Sequence, residues 1–255
     1  MPTLVAVAHG SRDPRAADTA RALLRRVREL RPGLPVRLAH IELTAPLLGD
    51  ALAGLRGAPG GEDDEAVLVP LLLGRGHHTG HDLPRAAAAA AAAGGPRCRV
   101  AAPLGPHPLI VEALCDRLLD TGWTPNREGA AVVLACAGSR DPRYAADARA
   151  AAALLSERLG GVPVLPGYAS AAAPTVPEAL RALAARGHHR TAVASYFAAP
   201  GRFAAMAAAA GGRYAAEPLG DHPAMARLVL HRYLTAPAAV PVPARPPLTT
   251  AVAAA

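Results

Sequence analysis

Residues 5–14 read VAVAHGSRDP and residues 133–142 read VLACAGSRDP, so an apolar run feeds the same short loop twice, 128 residues apart. Pro46 and Pro174 keep that offset, while PLGPHP at 103–108 returns as PLGDHP at 218–223, only 115 residues later. A single repetition cannot build a solenoid, which needs three or more stacked units. It predicts two similar units facing each other across a pseudo-two-fold cleft, the second one shortened between its third and fourth strands.

Each copy alternates buried strands with helices. In the first, PTLVAVAHG, PVRLAHIEL (35–43), EAVLVPLLLG (65–74) and RCRVAAPLG read as strands. Between and after them come a helix capped by Asp13-Pro14 and running to about Leu30, APLLGDALAGL, HDLPRAAAAAAAAGG (81–95) and HPLIVEALCDRLLD (107–120). Asp is a good N-cap and Pro suits the first helical position, which fixes where the first of these helices begins. The second copy repeats the order: AAVVLACAG, VPVLPGYAS, HRTAVASYF and GRYAAEPLG as strands, with DPRYAADARAAAALLSERL, APTVPEALRALAARG and DHPAMARLVLHRYL as helices. Strand–helix alternation implies right-handed crossovers and a mostly parallel sheet. The expected architecture is therefore α/β: two similar domains, residues 1–121 and 129–235, each a mostly parallel four-stranded sheet flanked by helices. TGWTPNREG (121–129) reads as the linker, and the Ala- and Pro-rich stretch 236–255 as a disordered tail.

Composition narrows the function. Hydrophobic residues make up 51% of the chain but aromatics only 3%, so the core must be built from Ala, Leu and Val. The net charge of +7 favours an anionic partner. The basic residues are scattered arginines with few aromatics among them, which argues against nucleic acid. Cys98, Cys115 and Cys136 are odd in number, lack metal-type spacing and read as buried apolar residues in a reducing cytosol. No basic leader opens the chain and no apolar run reaches 18 residues, so a soluble cytoplasmic protein without a membrane partner is expected. There is no G-x-x-x-x-G-K-[ST] loop and no G-x-S-x-G elbow, and GSR (10–12) and GRG (74–76) are too short to claim a dinucleotide site.

The duplication also supplies an internal control. What both copies share is read as architecture: Asp13 and Asp141 as caps, His107 and His222 as structural residues at helix starts, and Arg12 and Arg140 as either structural or anion-binding. Three ionisable residues occur in the first copy alone. His9 ends strand one, where the second copy has Ala137; Glu42 ends strand two, opposite Ser170; and His78 follows strand three, opposite a position near Phe203. Open parallel sheets bind ligands beyond the carboxyl ends of their strands. Two imidazoles and a carboxylate delivered there suit a divalent Fe, Co, Ni or Zn ion, and equally suit proton transfer near neutral pH. Any one of them alone would be an ordinary loop residue. The segment GRGHHTGHD (74–82) holds His77, His78 and His81, and the choice among them stays open. His40 shares a strand face with Glu42 and is expected in the core or supporting the site.

The stretches LVAVAHGSRDP, HIELTAPLLGDAL, VLVPLLLGRGHHTGHDLP and PLGPHPLIVEAL together resemble the CbiX/SirB family of sirohydrochlorin chelatases, over roughly residues 3–235. The resemblance implies an ATP-independent class II chelatase that inserts Fe²⁺ or Co²⁺ into sirohydrochlorin, toward sirohaem or cobalamin, with no cofactor beyond the substrate metal. It implies His9, His78 and Glu42 as metal-binding and catalytic residues, with His77 adjoining His78 where one histidine is expected. It also implies that the long two-domain form does within one chain what short members do as dimers, so that a monomer suffices. The anionic tetrapyrrole would be met by arginines, with Arg12, Arg75, Arg140 and Arg202 as candidates. Two rivals remain: a metal or tetrapyrrole carrier of the same fold, and a phosphate-handling hydrolase using His9. Against the hydrolase, Ala8 stands where a phosphohistidine site would want an arginine.

Overall fold

The structure is a computed structural model and describes residues 1–55, 65–211 and 214–238. In the amino half, β1 (Thr3–Ala8), β2 (Val36–His40), β3 (Glu65–Pro70) and β4 (Arg97–Val100) form one parallel sheet in the order β2-β1-β3-β4. The helices of this half are α1 (Pro14–Leu30), α2 (Leu48–Ala53), α3 (Leu83–Ala92) and α4 (Pro108–Asp120). In the carboxyl half, β5 (Ala130–Cys136), β6 (Val164–Tyr168) and β7 (Arg190–Ser195) form a second parallel sheet, β6-β5-β7. Its helices are α5 (Pro142–Arg158), α6 (Val176–Ala184), α7 (Arg202–Gly211) and α8 (Pro223–Leu234). The α/β class holds, but the second sheet has three strands rather than four. The segment expected as its fourth strand pairs only through a bridge between Val193 and Ala215. Part of that segment, residues 212–213, lies outside the described residues, as do residues 239–255 of the expected tail.

Strand alternation explains the layers. Along β1, Leu4 and Ala6 face one core and Val5 and Val7 another; along β5, Val132, Leu134 and Cys136 separate in the same way from Ala131, Val133 and Ala135. Both faces of each central strand are buried, which is why these strands read as continuous apolar runs instead of alternating ones. The outer faces are covered by α2 and α3 in the amino half and by α6 and α7 in the carboxyl half, while the inner faces meet in one shared core. Helix α1 enters that core with Ala20, Leu23, Leu24 and Val27, the spacing of a single helical face. Truncating a core residue such as Leu24 to Ala costs about 2–5 kcal/mol.

The last helix of each sequence copy crosses to the opposite half. Helix α4 packs on α5 and β7, and α8 packs on α1 and β3, with α4 and α8 against each other. Polar ties follow the crossing: the Tyr196 hydroxyl donates to the Leu73 carbonyl (2.9 Å), Arg232 to the Leu104 carbonyl (2.9 Å) and the Tyr233 hydroxyl to the Pro2 carbonyl (2.8 Å). The stretch read as a linker is anchored as well. Trp123 is buried and its indole N–H donates to the Arg190 carbonyl at 2.8 Å. Among the described residues no helix is long and apolar enough to cross a membrane.

The caps agree with the sequence. Asp13 accepts from the Arg15 amide and Asp141 from the Arg143 amide, while the His107 and His222 rings accept from Leu109 and Ala224 at the starts of α4 and α8. The three cysteines are unpaired thiols, and burial pushes Cys98 up to about 11 and raises Cys115 and Cys136 too. None of them is a ready thiolate.

Candidate metal centre

The strand order places a switch point between β1 and β3, where the chain changes its direction of winding, and such points are where open α/β sheets bind ligands. His9 leaves the end of β1 here. Beyond β2 the pairing continues for two more residues: Ile41 donates to the Ala8 carbonyl and Glu42 to the His9 carbonyl, 3.0 Å away. Glu42 is thus pinned beside His9 by backbone, and its carboxylate lies 3.6 Å from His9 Nδ1. Gly10 makes the approach possible. Its φ is +96°, and a Cβ there would sit 1.7 Å from the Glu42 carbonyl oxygen. Thr44 clasps the same turn, its hydroxyl donating to the Ser11 carbonyl and accepting from the Ser11 amide.

After β3 the structure departs from the expected loop. Residues His78–Asp82 form one π-helical turn running directly into α3, and the Leu83 amide donates to the His78 carbonyl. Pro84 has no N–H to give Gly80, so that carbonyl lacks its ordinary α-helical bond where the turn meets α3. His78 and His81 therefore sit on a helical turn. The turn brings His78 edge-to-face against His9, with ring centroids 4.8 Å apart. His77 instead stacks on His81 at 5.2 Å and is 74% exposed, so geometry separates the two neighbours and joins His78 to His9.

Both imidazoles are held by Nδ1. That of His78 lies 2.6 Å from Asp82 Oδ2, and that of His9 lies 3.2 Å from the Gly10 carbonyl. A carbonyl and a carboxylate can only accept, so each contact calls for a proton on Nδ1, and among the described residues no hydrogen bond occupies Nε2 of either ring. A neutral imidazole so oriented is what a metal ion requires. His9, Glu42 and His78 are 45%, 52% and 35% exposed, so the cluster opens to solvent. Among the described residues no group of three or more His, Cys, Asp or Glu side chains is placed so that it could hold a metal ion, and the cluster is a pair of imidazoles with a carboxylate beside one of them. His40, two residues before Glu42, is buried with Nδ1 3.4 Å from the Pro46 carbonyl, and desolvation lowers its pKa.

The four candidate arginines divide. Arg12, Arg140 and Arg202 are exposed and, among the described residues, make no hydrogen bond or ion pair. Arg75 differs: its guanidinium and its backbone amide both hold the buried carboxylate of Asp147, with Nη2–Oδ1 at 2.6 Å and N–Oδ2 at 2.8 Å. Arg75 thus bridges the two halves, and its guanidinium is already paired where those of the other three candidates are not. Two contributors, Asp82 and Asp147, escaped the reading of the sequence. The four-residue spacing from His78 to Asp82 on one helical face signals the first, and the second stands where the first copy has Thr19.

The match to known proteins fits this geometry. The CbiX family model covers residues 3–121 and 131–236, once per copy. The chain belongs to the CbiX family. Among solved structures it resembles SirB from Bacillus subtilis with Fe³⁺, at 25% identity over 92% of this chain and 95% of that one, with a TM-score of 0.74. A second structure, a sirohydrochlorin chelatase SirB from Bacillus subtilis subspecies spizizenii in complex with cobalt, shares the fold at 23% identity, covering 91% and 94%, with a TM-score of 0.70. The CbiX described as the terminal enzyme for biosynthesis of siroheme in denitrifying bacteria matches at 25% identity, covering 90% and 98%, with a TM-score of 0.63. No curated protein sequence matches the chain.

Proposed function

We propose that this CbiX-family protein is a sirohydrochlorin chelatase that inserts Fe²⁺ or Co²⁺ without ATP, in sirohaem or cobalamin synthesis. The observation that carries the reading is the His9–His78 pair at the switch point, each ring tied through Nδ1 with no hydrogen bond on Nε2, with Glu42 alongside. Solved relatives that hold Fe³⁺ and cobalt support it.

The reaction exchanges one dication for two pyrrole N–H protons. His9 and His78 hold the incoming ion through nitrogens that are soft enough to bind Fe²⁺ or Co²⁺ and neutral enough to release it. Glu42, fixed beside His9 by its backbone, helps position the ion or accepts one departing proton, and the remaining proton passes to the solvent that reaches the cluster. The cluster is open to solvent, and the unpaired guanidinia of Arg12, Arg140 and Arg202 suit the carboxylates of a tetrapyrrole. In this reading residues 1–121 carry the site and 129–235 form the partner domain, a cytoplasmic monomer is sufficient, and neither nucleic acid nor membrane takes part.

Mixing protein, sirohydrochlorin and Co²⁺ or Fe²⁺ anaerobically and following the macrocycle's absorbance tests this. Catalytic turnover is expected. A shift that stops at one equivalent would mean a carrier, and no shift at all would point to other chemistry, such as phosphate hydrolysis at His9. His9→Ala should lower turnover by about a hundredfold or more with an unchanged circular dichroism spectrum.

A further inference from the structure

We propose that Asp147, in the carboxyl half, is a positioning residue for the metal-binding loop of the amino half; the proposal rests on His78 acting as a metal ligand. Asp147 is 4% exposed, one of few buried charged or polar side chains in the described structure. A buried carboxylate is costly unless it is paired and hydrogen-bonded. Here both oxygens are turned to a single residue: Arg75 Nε lies 3.1 Å from each, Nη2 2.6 Å from Oδ1, and the backbone amide 2.8 Å from Oδ2. The backbone contact matters most, because it fixes the path of the chain and not just the end of a flexible side chain.

From Arg75 the constraint passes to the histidine through short links. Gly76 donates to the Thr79 hydroxyl (3.0 Å), Thr79 donates back to the Gly76 carbonyl (3.1 Å), and Gly80 donates to that same carbonyl (3.0 Å). His78 lies inside this knot. Helix α5 also lies close on either side of Arg75. A Cβ on Gly74 would come within 2.9 Å of the Tyr144 ring, and one on Gly80 within 3.5 Å of the Arg143 guanidinium. The face of α5 made by Arg143, Tyr144 and Asp147 is thus a seat for residues 74–80.

The seat exists on one side alone. In the first copy Thr19 stands where Asp147 stands in the second, and in the second copy Pro200 stands where Arg75 stands in the first. The half without its own metal-binding side chains holds in place a loop that carries them. Displacements of about 1 Å at a reacting centre can cost a hundredfold in rate, so such a seat has catalytic consequences.

The test compares wild type, D147N and the double variant R75M/D147L by Co²⁺ titration of the protein alone, by steady-state insertion kinetics and by thermal melting. D147N should weaken Co²⁺ binding and raise KM for the metal about tenfold or more, the scale typical of groups that orient metal ligands. The KM for sirohydrochlorin should stay within about twofold, since the tetrapyrrole's carboxylates are met by other arginines in this reading. The double variant removes both charges and should melt closer to wild type than D147N, because an apolar pair can replace a buried ion pair. Its metal affinity should nevertheless stay low. Recovery of affinity together with stability, or a D147N variant that binds Co²⁺ like wild type, would overturn the proposal. If wild type binds Co²⁺ but inserts none, the chelatase reading falls and the positioning claim is decided by the titration alone. If wild type binds no Co²⁺, both fall.

Discussion

The turns that follow β1 and β5 have nearly the same backbone and carry different chemistry. Gly10 and Gly138 adopt φ of +96° and +90°, and a Cβ on either would sit 1.7 Å or 1.8 Å from the carbonyl oxygen of Glu42 or Ser170. Leu43 and Ala171, the residues after these, are both in the left-handed region, at 63° and 57°. Glu42 and Ser170 donate to the carbonyls of His9 and Ala137 at the same 3.0 Å. Strained backbone beside reactive side chains is commonly taken as a sign of catalysis. Here the copy without the imidazole and the carboxylate has the same strain, so it belongs to the architecture. What distinguishes these two turns is their side chains, imidazole and carboxylate on one and methyl and hydroxyl on the other; at the third position the backbone differs too, with His78 on a π-helical turn and Phe203 in α7.

That comparison can be broken most decisively by transplanting the chemistry. If identical backbone were sufficient, adding Ala137→His and Ser170→Glu to the inactive His9→Ala protein would build a working site in the carboxyl half. We expect it to stay at least about a hundredfold below wild type, because the third position holds the partly exposed Phe203 and no imidazole. Metal insertion above about a tenth of the wild-type rate would show that two groups suffice and that His78 is dispensable.

Glycine replacement sharpens the comparison at the next scale. Gly10→Ala and Gly138→Ala both force a side chain into the left-handed region and against a carbonyl. Each should lose at least about 2 kcal/mol of stability in a urea titration. The activities should part. In Gly10→Ala the displaced oxygen belongs to Glu42, so the folded fraction should lose most of its insertion rate, whereas folded Gly138→Ala should keep most of it. Equal activity in the two variants would detach Glu42 from the reaction.

The same pair of turns shows what could be read in the sequence and what could not. The repeated GSRDP gave the offset, the caps at Asp13 and Asp141, and the three residues without a counterpart, because each depends on neighbours close along the chain. The exchange of α4 and α8 between halves could not be read. Both helices are apolar at helical spacing whichever sheet they cover, and periodicity names a buried face without naming its partner. The fourth strand of the second sheet failed for a related reason: YAAEP has the composition of a short strand, but among the described residues it meets β7 through the single bridge of Ala215 to Val193. Helix α7 was passed over because RFAAMAAAAG is nearly all apolar and has no polar face to betray a helix. Among many scattered arginines, nothing along the chain marks Arg75 as paired with a carboxylate of the other half. Its partner could have been found by running the internal comparison in the other direction, asking which charges the second copy has and the first lacks. Asp147 is one of them.

The smallest expected difference concerns the caps themselves. Asp141 accepts from the Arg143 amide and side chain, as Asp13 does from Arg15. The hydrogen bond from the Arg143 side chain is the main cause that holds the Asp141 carboxyl down at about 2, against an ordinary 3.8. Arg15 lowers Asp13 in the same direction and by the same contact. A carboxyl whose folded pKa lies below its unfolded one stabilises the fold above the unfolded value and loses that contribution as pH falls through the folded one. Asp141→Asn and Asp13→Asn should therefore each melt slightly below wild type at pH 7, and for Asp141 the gap should close between about pH 4 and pH 2. Since both caps belong to the shared backbone, neither change should alter the rate of metal insertion by more than about twofold at neutral pH. A cap variant that kept its melting temperature and lost activity would put the duplicated loop itself, and not only His9 and Glu42, into the chemistry.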